Sequence, residues 1–186
     1  MKKILLIICI LSFALIGCSN TQLKSSDILS EVADFNFLQS FDLKEEKSVT
    51  MAVEIYENGH RKDERLMYFG NNFKGKGDIQ FSYFRPDYSM TNSNLIESFI
   101  VGAIKNENKI ISTKVINTSP FMGYIFDAAK ENVITNDGVY TIGVLGYLTD
   151  EAASTSFPKI QIQERLDFIE AYKTYPLVYL VVLEVQ

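Results

Sequence analysis

Few side chains in this chain combine the types and spacing that chemistry needs. His60 is the single histidine, so a site built on paired imidazoles is out of reach. A Ser-His-Asp arrangement through His60 is not excluded by spacing, because triads assemble in space. No Gly-x-Ser-x-Gly elbow supports one, however, and beside Asn58-Gly59 the ring reads as solvated. Lys74 and Lys76 lie among the glycines of Gly70 to Gly77, a composition that could approach a phosphate. The stretch lacks the Gly-Lys-Ser/Thr ending of a phosphate-binding loop and connects two strands without opening a helix. It reads as an ordinary loop. The acid pairs Asp63-Glu64 and Asp150-Glu151 could bind calcium or serve as the two carboxylates of a glycosidase. Neighbours on a strand point apart, and no Asp-x-Asp-x-Asp-Gly loop is present, so a solvated surface is the better reading. No catalytic, metal-ligating or cofactor-binding residue is assigned.

The segment that must deliver the protein to its place of work is better marked. Lys2 and Lys3 precede apolar runs from Ile4 to Leu11 and from Phe13 to Ile16, interrupted by Ser12. This is a basic n-region followed by a short h-region. Ile4 to Ile16 is shorter than the roughly 20 apolar residues that span a bilayer as a helix, which favours a signal peptide. It ends in Leu15-Ile16-Gly17-Cys18, which resembles the lipobox of bacterial lipoproteins. The resemblance implies that the Cys18 thiol receives a diacylglycerol, that residues 1–17 are removed, and that Cys18 becomes the acylated first residue. A thiolate is nucleophilic enough to be alkylated in this way, and Gly17 leaves the neighbouring peptide bond accessible. Two acyl chains give stable attachment where one gives only reversible binding. Residues 18–26, polar after Cys18 apart from Leu23, read as a tether. Ser19 after the cysteine permits outer-membrane sorting in a two-membrane bacterium; in a single-membrane bacterium the outer face of the cell membrane is expected. The acceptor spelling Asn117-Thr118-Ser119 carries no glycan in such a cell.

Removal of 17 of the 186 residues leaves 169, with 16 basic and 23 acidic residues and a net charge of −7. A balance of that sign disfavours nucleic acid and anionic lipid head groups as partners. Cys9 leaves with the signal segment and Cys18 is consumed by lipid. The folded domain, residues 27–186, is therefore expected to have no thiol, no disulfide, no cysteine nucleophile and no cysteine metal site. An apolar core has to hold it, and 13 Phe and 10 Tyr without Trp supply material for one. Tyrosines left on the surface would offer rigid amphipathic contact area.

The elements follow from periodicity. Ile28, Leu29, Val32, Phe35 and Leu38 recur at three and four and predict a short helix from Ser26 to Leu38; Phe35, Phe37 and Phe41 alternate closely enough to begin a strand instead. Val49 to Tyr56 has the period of two of a half-buried strand, and Asn58-Gly59 predicts a type I′ turn. The return strand, Arg61 to Phe69, starts with five charged residues that would project beyond the sheet or guard an edge. Ile79, Phe81 and Tyr83 alternate again. Leu95 to Lys105 and Lys109 to Asn117 read as strands joined at Asn106-Glu107-Asn108. Phe121 to Lys130 is ambiguous between helix and strand. Val133-Ile134, a turn at Asn136-Asp137-Gly138 and Val139 to Leu148 predict a further hairpin. Ile162, Leu166, Ile169 and Tyr172 share a helical face, and Leu177 to Val185 reads as a strand buried on both sides. The expected fold is mainly β, an antiparallel two-layer β-sandwich with one or two short helices, with an α+β layout as the alternative.

The chain resembles a loose group of small bacterial lipoproteins of unknown function. The resemblance lies in the lipobox, in Val49 to Gly59 with its Tyr56-Glu57-Asn58-Gly59 turn, and in the closing run Tyr172 to Leu180. That group has no assigned activity and transfers no functional residue. The expected role is a non-enzymatic, membrane-anchored module outside the cytoplasm, contacting an envelope protein or wall component without a cofactor. Alternatives are a carboxylate-dependent hydrolase of an envelope polymer and an immunity lipoprotein that binds a small ligand or toxin.

Overall fold

The alternating run Val49 to Tyr56 is the middle of a much longer strand, because alternation with buried phenylalanines begins at Phe35. A computed structural model describes residues 33–85, 97–117, 121, 123–129, 133–149 and 175–186. Within them lie seven strands: β1 (Phe35–Glu57), β2 (His60–Phe84), β3 (Glu97–Lys105), β4 (Lys109–Asn117), β5 (Gly123–Ala128), β6 (Gly138–Leu148) and β7 (Leu177–Val185). They form one sheet in the order β4-β3-β2-β1-β7-β6-β5, every neighbouring pair antiparallel. The protein is mainly β. The expected helix at Ile162 to Tyr172, Cys18 with its tether, and the Asp150-Glu151 pair lie outside the described residues.

The β1–β2 hairpin carries the architecture. Asn58 and Gly59 take φ of 49° and 81°, the left-handed pair that a type I′ turn requires. Between Leu43 and Lys47 the register breaks, so that Lys44, Glu45 and Glu46 stand against Lys74 alone, and such an insertion bends the ribbon. On β2 the bend is made by Gly75, at φ 79°, and Gly77, over which the Phe41 ring lies so closely that a Cβ would fall 2.2 Å from Phe41 Cζ. Beyond the bend the two halves of the hairpin have different neighbours. Asp78–Phe84 of β2 pairs with β3, whereas Val49–Glu57 of β1 pairs with β7.

The bent sheet folds over on itself, and its two halves face each other. Phe126 of β5 approaches Phe37 of β1 at 6.0 Å and Phe81 of β2 at 6.2 Å between ring centroids, and Tyr124 meets Tyr83 edge-on at 5.0 Å. Phe41, Met51, Ile79, Ile100, Ile142, Val181 and Leu183, all at most 1% exposed, belong to this one core. Each such side chain contributes about 1.5–3 kcal/mol on burial. The two layers of the expected sandwich are thus halves of one continuous sheet. Segment β7 is buried on both faces except at half-buried Glu184, because it sits centrally between β1 and β6. Its second face joins Ala52, Tyr56, Val144, Leu148 and Tyr175 in a smaller cluster.

Several expectations are corrected. Phe35 to Leu38 opens β1 and does not close a helix; Leu38, counted on the helical face, is 48% exposed while Phe37 is buried. The rest of that stretch, before residue 33, is not described. Gly70 to Gly77 is part of β2 and not a loop. The ambiguous Phe121 to Lys130 contains strand β5. Ile134 does not pair with β6: its N–H donates to Ser40 O at 3.1 Å, and its carbonyl accepts from Asp42 N at 2.9 Å. The partner of β6 is instead β5, which brings Phe126 and Tyr124 over the core.

Candidate functional site

The bend that closes the core also opens a surface. Because β2 kinks at Gly75 and Gly77, the β3–β4 turn, the start of β2's second half and Ser40 to Asp42 of β1 surround a cleft of about 740 Å³. Cross-strand register sets its charges. Asp42 stands opposite Lys76, and Asp78 opposite both Ser40 and Lys105. Lys74 enters from the bulge and Glu107 from the β3–β4 turn. Three lysines and three acids therefore share one wall. Asp78 Oδ1 accepts from Ser40 Oγ at 2.8 Å, and Asn106 Nδ2 donates to Lys74 O at 2.7 Å, tying the turn to the bulge. Lys74, Lys76 and Lys105 are exposed, and among the described residues none of them is ion-paired. Such a wall can hold a polar partner carrying charges of both signs.

A second constellation lies toward the other end of β1. The Glu54 carboxylate is 2% exposed; its Oε1 stands 2.7 Å from Arg61 Nη2 and 3.8 Å from Arg65 Nη2. Tyr56 donates its hydroxyl to Glu54 Oε2 at 3.2 Å, and Arg65 reaches on to Glu184 Oε1 at 2.8 Å. Two arginines thus compensate two carboxylates across β2, β1 and β7. Arg65 also lies over the Tyr68 ring at 4.7 Å. A buried charge is tolerated only when paired in this way.

At the far end of the core, tyrosines from four strands converge. Tyr83 and Ser98 share a hydrogen bond at 3.0 Å, Tyr147 meets Tyr179 edge-on at 5.9 Å, and Arg85 lies over Tyr124 at 5.8 Å. Burial pushes the phenols of Tyr83, Tyr124 and Tyr147 up, and takes that of Tyr179 to about 12. Phenols held neutral in this way pack the core and are not poised as bases.

Lys74 and Lys76 of the glycine-rich stretch are thus brought into the cleft, together with Lys105 and three acids that their sequence positions did not suggest. His60 is exposed at the head of β2, away from the cleft wall. Asp63 and Glu64 are exposed on β2. Of the charged run Arg61 to Arg65, the two arginines fold onto Glu54 and Glu184 while staying partly exposed. The signal for this was present: Glu54 lies inside the alternating run Val49 to Tyr56, and Glu184 is the one polar residue of β7. Among the described residues no group of three or more His, Cys, Asp or Glu is placed to hold a metal ion, and no helix is long and apolar enough to cross a membrane. No family model, curated protein or solved structure matches the chain. Its class is that of an antiparallel, mainly-β domain with a mixed-charge cleft at the bend of its sheet.

Proposed function

We propose that the chain is a lipid-anchored binding module of the bacterial cell envelope, tethered through Cys18, that engages an envelope protein or wall component through the cleft at the sheet bend. The observation that carries the reading is the cleft wall itself, where Lys74, Lys76 and Lys105 alternate with Asp42, Asp78 and Glu107. Mixed charge on rigid strands gives register and specificity to a polar contact more than raw affinity. Anchoring is supported by Lys2-Lys3, the short apolar run and Leu15-Ile16-Gly17-Cys18.

A photo-crosslinking residue at Lys76 in the full chain, activated in intact cells, is expected to yield a discrete adduct that is lost when Lys74 and Lys105 are both changed to Glu. The same residue at exposed Lys62 should not yield it. Absence of any Lys76-dependent adduct overturns the assignment of the cleft. Metabolic labelling with a clickable fatty acid should tag the wild-type chain and not Cys18→Ala; an unlabelled wild type overturns the anchor.

A further inference from the structure

The sheet has edges, and the chain treats them differently. Before Asp78, β2 has β1 as its sole strand partner among the described residues, and this free side is guarded by Arg61, Lys62, Asp63, Glu64 and Arg65 at its start. At one end of the sheet, β5 is only six residues long. At the other end, β4 is more weakly guarded among the described residues, by Lys109 and Lys114 alone. It runs nine residues from Lys109 to Asn117 without proline, and its pairing with β3 shows no bulge from Glu97↔Asn117 to Lys105↔Lys109. Ile111 and Val115 are 52% and 53% exposed, and they sit opposite Ala103 and Phe99 on the same face.

We infer that β4 pairs with β4 of a second copy, antiparallel about a two-fold axis at Thr113, joining two sheets into one. Directly opposed residues in an antiparallel pair share a face, so a two-fold axis perpendicular to the sheet must pass through a residue position. Centred on Thr113, the ladder uses the whole strand: Lys109 faces Asn117, Ile110 faces Ile116, Ile111 faces Val115 and Ser112 faces Lys114. Each lysine meets a neutral polar residue, and each exposed apolar side chain meets another. Centring on Ser112 sets Lys114 against Ile110 and Lys109 against Val115; centring on Lys114 sets that lysine against itself. Strand and charge pattern are thus self-complementary in one register, as an isologous interface requires. None of the residues of the ladder lines the cleft, so its occupancy and that of the cleft are scored by different probes.

The test places a cysteine at Thr113 in the full chain and treats intact cells with a short bis-maleimide, wild type serving as the baseline for Cys9 and Cys18. The expected result is a covalent dimer with Thr113→Cys and not with Lys62→Cys. Adding Ile111→Lys and Val115→Lys to the Thr113→Cys chain should reduce the dimer at least tenfold, while the circular dichroism spectrum of the purified chain keeps its strand signal. No dimer above the wild-type level, equal crosslinking at positions 113 and 62, or crosslinking that survives the two lysines each overturns the interface.

Discussion

Glu54 and Arg61 stand on opposite arms of the β1–β2 hairpin, and their side chains meet at 2.7 Å with the carboxylate almost wholly buried and the guanidinium 38% exposed. One turn away, Lys62 and Glu57 also meet, at 2.6 Å, but both are about half exposed. Burial, and not distance, separates the two pairs energetically. Removing Arg61 takes away the nearest cation of a buried carboxylate and leaves Arg65 at 3.8 Å among the described residues, which costs several kcal/mol in a dry site, whereas exposed pairs contribute about 0–1 kcal/mol.

Arg61→Ala is therefore expected to destabilise by about 2–3 kcal/mol, discounted from the fully buried case for the partly exposed arginine. Lys62→Ala should cost no more than about 0.5 kcal/mol. Urea unfolding of the two variants checks the difference, and equal midpoints would contradict the role given to Glu54.

The bend depends on missing side chains. A Cβ at Gly77 would fall 2.2 Å from Phe41 Cζ and 2.7 Å from Lys105 O, so Gly77→Ala must displace either the ring or the β3 backbone, at a cost of about 1–3 kcal/mol or more. Gly123→Ala meets nothing within 4 Å and should leave the thermal midpoint nearly unchanged. A melting curve for each variant decides the matter.

Phe126 couples the two halves of the folded-over sheet through Phe35, Phe37 and Phe81. Because it is half-buried, Phe126→Ala is expected at the low end of the range for large-to-small changes, about 2–3 kcal/mol. Phe126→Leu should recover much of that loss. Chemical denaturation reports both.

Tyr179, with its phenol pushed up to about 12, and Tyr147, raised further by burial, make the fold sensitive to alkali. Both groups are acids whose neutral form the core favours. Their contribution is fully present below the unfolded phenol pKa of about 10, and it declines as pH rises from there through the folded values. Stability measured by urea unfolding from pH 9 to 11.5 should fall with pH, and Tyr179→Phe should flatten the decline. The Tyr147 hydroxyl is buried and makes no hydrogen bond of ordinary geometry among the described residues. Tyr147→Phe should therefore be neutral or slightly stabilising at pH 7, since a buried unpaired hydroxyl contributes nothing favourable.

Much of the strand set was legible because strands announce themselves locally. Val49 to Tyr56, Asn58-Gly59, Lys109 to Asn117 and Leu177 to Val185 each carry their period or turn chemistry within a few residues, and each stands where that pattern puts it. The errors share one cause. Gly70 to Gly77 looks like a loop because glycine and lysine weaken strand propensity, yet pairing with β1 on one side holds it in the sheet. Val133-Ile134 looks like the partner of β6, but a backbone ladder is chosen by space and not by nearness along the chain. Ile134 found Ser40 and Asp42 instead.

Sequence by itself determined the strand class, the hairpin turn and the closing strand, apolar at every position but Glu184. These are properties of short windows, written in periodicity, φ preference and residue chemistry. Only the tertiary structure decided that one sheet supplies both layers, that Glu54 is buried between Arg61 and Arg65, and that Lys74, Lys76 and Lys105 share a cleft with Asp42, Asp78 and Glu107. Those outcomes depend on where a bulge bends a ribbon and on which strand becomes the neighbour of which. Both follow from long-range contacts whose free energy no local segment contains.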